Sequence, residues 1–156
     1  MDFEIKEAEA LAAGYDRQGN PVGFWDCGAT MSAGSAQLLQ PVFDEAMEVF
    51  DGNVGLKESL VRFTFAGGEQ SEAQSCLDLP LSVLSGESLS LHPVPNPHTP
   101  ILLGLDNLRA FGMVLDFDKD SAFSKKLGRF LPTVRLNGGH LGLALTGQPV
   151  AAPSPQ

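Results

Sequence analysis

The chain has 156 residues, 43% of them apolar, and a formal net charge of -9. That length favours one domain with a real core, and the acidic balance works against a phosphate-binding surface, so nucleic acid is not an expected direct partner. No run is long and apolar enough to span a bilayer as a helix, so no membrane partner is expected; Met1-Asp2-Phe3-Glu4 lacks the basic start and apolar run of a signal peptide; and two cysteines outside any CxxC or Cys/His ligand spacing lead to the expectation of a reducing, cytoplasmic compartment.

Seventeen glycines and eleven prolines favour many turns and short strands, hence a mostly β chain. Residues 4–13 have helix-forming composition, yet Phe3 and Ile5 alternate like a strand; residues 1–20 are read as a flank or linker. Asp16-Arg17-Gln18-Gly19-Asn20 signals a turn. Val22 to Trp25 reads as a strand that runs into Asp26, followed at once by Cys27, Gly28, Ala29 and Thr30. A lone carboxylate at the end of an apolar strand is unusual, because carboxylates are rarely buried without a partner. Ser35 is a natural N-cap for a helix over roughly 36–50, with Leu38, Leu39, Val42, Phe43, Ala46 and Val49 on one face and Asp51-Gly52-Asn53 as its stop.

Residues 59–84 read as a hairpin tipped by Ala66-Gly67-Gly68-Glu69-Gln70, with Cys76 as buried packing in the returning strand. Leu89 to His92 is a further short strand. The stretch from His92 to Pro100 holds four prolines and reads as a stiff loop, excluded from a central strand because proline has no N–H to donate. His92 and His98 lie six apart with no further ligand in evidence, so neither a metal nor another cofactor is expected. Ile101-Leu102-Leu103-Gly104 is an apolar strand ending on glycine, and Asp106 is placed as the N-cap of a short helix, Asn107 to Phe111, closed by Gly112. A strand over 113–118, two weak apolar segments within 123–135, an Asn137-Gly138-Gly139 turn and a last strand over 140–145 follow. Residues 147–156 have linker composition and are expected to be disordered.

In this order the elements resemble the retropepsin-like aspartic proteases, closest to the protease segment of copia-type retrotransposon polyproteins. The likeness covers roughly residues 22–146, and the domain is taken as 21–146. Asp26-Cys27-Gly28-Ala29-Thr30 matches the family's catalytic loop, with Asp26 at the catalytic position. Phe65-Ala66-Gly67-Gly68-Glu69 matches the substrate-binding flap. Leu102, Leu103 and Gly104 match the element that supports the loop from behind. The resemblance implies a closed β-barrel half with one longer helix after the active-site loop and one short helix near 106–112. It also implies an aspartic endopeptidase, acting in a homodimer on an extended peptide or polyprotein substrate, with one Asp26 per subunit activating a water. Where the family has Thr or Ser after the catalytic Asp, this chain has Cys27, whose thiol is a poorer hydrogen-bonding group than the hydroxyl that braces the two loops.

Three other readings stay open at this level. One is a catalytically inactive relative that dimerises or binds peptides. Another is a cysteine hydrolase pairing Cys27 with His140. The last is a plain β-rich interaction domain.

Overall fold

The computed structural model describes residues 14–64 and 68–148. The undecided stretch at 4–13, the hairpin residues Phe65, Ala66 and Gly67, and the tail from 149 onward lie outside the described residues.

Among the described residues eleven strands and two α-helices follow one another: β1 (Val22–Trp25), β2 (Ala33–Ser35), α1 (Ala36–Val49), β3 (Gly55–Thr64), β4 (Gln70–Pro80), β5 (Ser88–Val94), β6 (Ile101–Leu103), α2 (Leu105–Ala110), β7 (Met113–Asp116), β8 (Ser121–Ser124), β9 (Arg129–Leu131), β10 (Val134–Arg135) and β11 (Leu141–Ala144). Eight strands form one sheet in the order β10-β11-β1-β6-β2-β5-β4-β3, and β7-β8-β9 form a second. The described chain is therefore mostly β, with one longer and one shorter helix.

β1 and β2 lie on either side of β6, so the loop between them, residues 26–32, must cross the end of β6. β1 pairs parallel with β6, Trp25 opposite Leu103, and antiparallel with β11. Strands covered on both faces read as continuous apolar runs rather than alternations, which is why Val22 and Trp25 are both buried and why every residue of β11 is. Gly23 is required by close packing here: a Cβ would sit 2.9 Å from Leu103 Cγ.

α1 starts where its cap predicts, with Ser35 Oγ accepting the Leu38 N–H at 3.0 Å. Leu38, Leu39, Val42 and Ala46 are buried against the sheet, Phe43 packs at the margin of the core, and Val49, at the fraying end, is exposed. Asp51 and Gly52 both take left-handed backbone, and the Gly52 N–H returns to Met47 O at 2.9 Å, ending the helix. Leu79, Leu81, Leu84, Leu89, Leu91, Ile101, Leu103, Leu141 and Leu143 are fully buried in one cluster with Phe111 of the α2 end. Each such side chain contributes about 1.5–3 kcal/mol on burial.

The structure corrects three expectations. The large sheet is not closed into a barrel: among the described residues it is an open ladder from β10 to β3. The reason is visible in the register, since β4 pairs with β5 only over Leu77–Pro80 and then carries the long β3–β4 hairpin away from the rest of the sheet. Second, Pro93 does stand in an interior strand. β5 pairs with β4 up to Leu91 and with β2 from His92 to Val94, so at Pro93 only one neighbour needs a ladder partner and the missing N–H is tolerated. Third, the short helix starts at Leu105, with Gly104 rather than Asp106 in the capping position.

Candidate active site

Asp26 stands half-buried where β1 ends. Its N–H donates to Leu103 O at 2.9 Å, which continues the β1–β6 ladder one step beyond the strand. Its Oδ1 accepts the Gly28 N–H at 2.9 Å, and its carbonyl accepts the Ala29 N–H at 3.2 Å, so the turn holds both ends of the residue. A Cβ on Gly28 would lie 3.1 Å from that same Oδ1. Glycine therefore leaves the carboxylate uncrowded. Cys27 is exposed and free, and Gly28 is exposed beside it.

The rest of the loop is fixed from β6 and α2. Ala29 O accepts the Leu105 N–H at 2.8 Å and Thr30 O accepts the Asp106 N–H at 3.3 Å. The first N–H groups of a helix have no partner within it, so the loop carbonyls supply what no side-chain cap does. Gly104 permits the approach: a Cβ there would lie 2.6 Å from Ala29 O and 3.0 Å from Met31 O. Of the expected supporting residues, Leu103 is core, Leu102 is half-buried, and the Gly104 N–H donates to Ser32 Oγ at 2.8 Å.

Ser32 is the residue that sequence reasoning missed. It is completely buried, and all its polar groups are used. Its N–H and Oγ donate to Asp106 Oδ2 and Oδ1 at 3.0 and 2.6 Å. Its Oγ also accepts from Asn107 Nδ2 at 2.6 Å, and its carbonyl accepts from His92 N at 3.0 Å and His92 Nδ1 at 2.9 Å. Asp106 thus anchors the loop from within the first turn of the helix, and its Oδ1 also accepts the Asn107 N–H at 2.8 Å. Buried Asn107 extends the network by binding both Ser90 N and Ser90 O, and Ser90 Oγ donates to Asp78 on β4 at 2.7 Å. The only sequence signal was a serine inside a small-residue run, which says nothing about partners more than 70 residues away.

Above the loop lies a cleft of about 810 Å³. Its floor is Asp26, Gly28, Ala29, Thr30, Met31, Ala33 and Leu102, one wall is Val61 to Thr64 with Glu69, and the other is Asn96, His98, Thr99 and Pro100. Glu69 and exposed Gly68 are the expected hairpin residues that the structure describes, and Glu69 Oε1 accepts Asn96 Nδ2 at 2.6 Å across the two walls. Asn96 is itself oriented, since its Oδ1 accepts the His98 N–H at 2.9 Å. The proline-rich loop was read from sequence as a connector, but it forms a wall of the cleft.

Cys76 is buried, and burial, aided by the nearby Asp78 carboxylate, pushes its thiol above the ordinary value of 9.0. Among the described residues no group of three or more His, Cys, Asp or Glu side chains is placed to hold a metal ion, and no helix is long and apolar enough to cross a membrane. Chemically, the arrangement offers one constrained carboxylate on a short turn, lining a cleft of mixed polar and apolar residues. No protein-family model matches this chain, and no curated protein matches it.

Proposed function

We propose that the chain is an aspartic endopeptidase of the retropepsin-like kind, active as a homodimer in which each subunit supplies one Asp26. The observation that carries this reading is the setting of Asp26: a half-buried carboxylate, held by the Gly28 N–H, at the floor of a cleft walled on one side by the β3–β4 hairpin. Among the described residues Asp106 behind the loop is committed to Ser32 and Glu69 on the cleft wall to Asn96, so on this reading the second carboxylate comes from a second copy.

Two carboxylates about 3 Å apart cannot both ionise cheaply and share one proton. The ionised Asp26 takes a proton from a water as the water oxygen bonds to the scissile carbonyl carbon. The protonated Asp26 donates to the carbonyl oxygen. The tetrahedral intermediate then collapses: the Asp26 that protonated the carbonyl oxygen takes a proton back from a hydroxyl, the C–N bond breaks, and the leaving nitrogen takes the proton first removed from the water, which restores the pair. Ala29, Met31, Val61, Phe63 and Leu102 give the groove apolar surface for side chains flanking the cleaved bond. The biological substrate on this reading is a polyprotein of retrotransposon type, processed in the cytoplasm without direct contact to nucleic acid.

Cys27 supports a second reading, a relative that dimerises or binds peptides without cleaving them. Its exposed thiol stands where the family places a bracing hydroxyl, and a thiol holds a facing loop less firmly.

The test is casein cleavage at acid pH by the wild type and Asp26→Asn, with the solution mass of both. The reading requires dimers in both and cleavage in the wild type alone. Undiminished cleavage by Asp26→Asn, or a strictly monomeric active enzyme, overturns it. A dimer that binds but never cuts establishes the second reading.

A further inference from the structure

His92 is the one described histidine that is buried, 2% exposed, and the chemistry above makes no use of it. It lies on β5, yet its side chain serves two other parts of the molecule. Its backbone N–H and its Nδ1 converge on one acceptor, the Ser32 carbonyl, at 3.0 and 2.9 Å. A carbonyl only accepts, so Nδ1 carries a proton. This fills both lone pairs of Ser32 O, at the end of the loop that begins with Asp26.

The ring is also 5.8 Å from the ring of Phe63, inclined at 57°. Phe63 belongs to β3, which is two strands away from β5 in the sheet, and it lines the cleft with Asp26. At Phe63 the hairpin has already left β5, because the β4–β5 ladder is confined to Leu77–Pro80. The tilted ring pair therefore joins the apolar wall, through His92, to Ser32 at the end of the loop that forms the cleft floor.

We propose that His92 is a positioning residue for the Asp26 site, in two separable halves: Nδ1–H fixes the loop, and the ring seats Phe63 as a determinant of which apolar side chain the cleft accepts. This rests on the endopeptidase reading. The two halves divide chemically. Asparagine keeps a donor for Ser32 O but has no ring for Phe63. Phenylalanine keeps a ring but leaves Ser32 O with a single donor.

The experiment compares wild type, His92→Asn and His92→Phe on two peptides that differ only in Leu or Phe beside the cleaved bond, and records the Gly28 amide and Phe63 resonances of each protein by NMR. In His92→Asn, kcat stays within about twofold while the Phe-over-Leu preference in kcat/KM shifts about tenfold. In His92→Phe, the preference is kept and kcat falls about tenfold. The resonances divide likewise, Phe63 moving in the first variant and Gly28 in the second. If both variants lose activity in equal proportion with preference unchanged, or if neither resonance responds selectively, the proposal is wrong and His92 is packing alone. A wild type that cleaves neither peptide refutes the endopeptidase reading instead, and the resonances then decide the positioning role on their own. Should His92→Asn fail to fold, His92→Gln takes its place as the donor without the ring; should His92→Phe fail to fold, His92→Tyr takes its place as the ring without the Nδ1 donor.

Discussion

Ser32 and Asp106 grip each other through two hydrogen bonds, Oγ to Oδ1 at 2.6 Å and N–H to Oδ2 at 3.0 Å, across 74 residues of chain. A charged acceptor makes these bonds stronger than neutral ones. They join the loop that carries Asp26 to the helix behind it. Ser32→Ala removes the hydroxyl and leaves the buried Gly104 N–H and one N–H of the Asn107 amide short of a partner, while Asp106 Oδ1 keeps only the Asn107 backbone N–H. Stranding buried polar groups costs about 1–3 kcal/mol each. Urea unfolding of Ser32→Ala is expected to show a loss of about 3 kcal/mol. A loss below about 0.5 kcal/mol, the range of ordinary surface changes, contradicts the hub.

Gly104 is held by space rather than by conformation. Its φ is an ordinary -87°, but a Cβ would stand 2.6 Å from Ala29 O, which is backbone and cannot swing away. Gly104→Ala must push the loop off β6. Overpacking of this kind costs about 1–3 kcal/mol, and the loop it displaces is the one bearing Asp26. The expected outcome is a folded, destabilised protein with cleavage reduced far more than stability. Full activity in Gly104→Ala would mean that the loop position does not matter to function.

The two thiols are expected to behave differently. Cys27 is exposed and Cys76 buried, so a thiol reagent on the native protein should modify one cysteine quickly and the second only on unfolding. Cys76 also carries a pH signature. Its folded value is raised above 9.0, chiefly by burial, so the unfolded chain ionises there first. Its contribution to stability is fully present below that ordinary value and is lost as pH rises through the folded one. Unfolding free energy is expected to fall on raising the pH above about 9, with a shallower fall in Cys76→Ala. Equal slopes in both proteins would remove Cys76 as the cause.

Local chemistry carried much of the fold into the sequence. α1 announced itself through the Ser35 cap, the spacing of Leu38, Leu39, Val42 and Ala46, and the Asp51-Gly52 stop. β1 and β6 were legible as apolar runs, and the structure brings Asp26 and Leu103 into hydrogen-bond contact. What failed depended on partners distant in sequence. Asp106 looks like the N-cap because caps are local, but it stands inside the helix, and besides the Asn107 N–H its carboxylate holds Ser32, 74 residues earlier. Pro93 looked incompatible with an interior strand because the rule assumes a neighbour on each side, and β4 leaves before reaching it. The closed barrel followed from resemblance and not from any residue pattern, and the diverging β3–β4 hairpin leaves the sheet open. Asn96 and His98 sat in a loop defined by its prolines, and nothing local marked them as a cleft wall.

The central claim is that one working site needs an Asp26 from each of two subunits. Co-refolding wild type with a ninefold excess of Asp26→Asn and measuring peptide cleavage at fixed wild-type concentration tests it most directly. If two Asp26 carboxylates form one site, nearly every wild-type chain is paired with an inert one, and activity falls to about a tenth. Activity unchanged by the excess would show that a single chain cleaves alone, and would contradict the account.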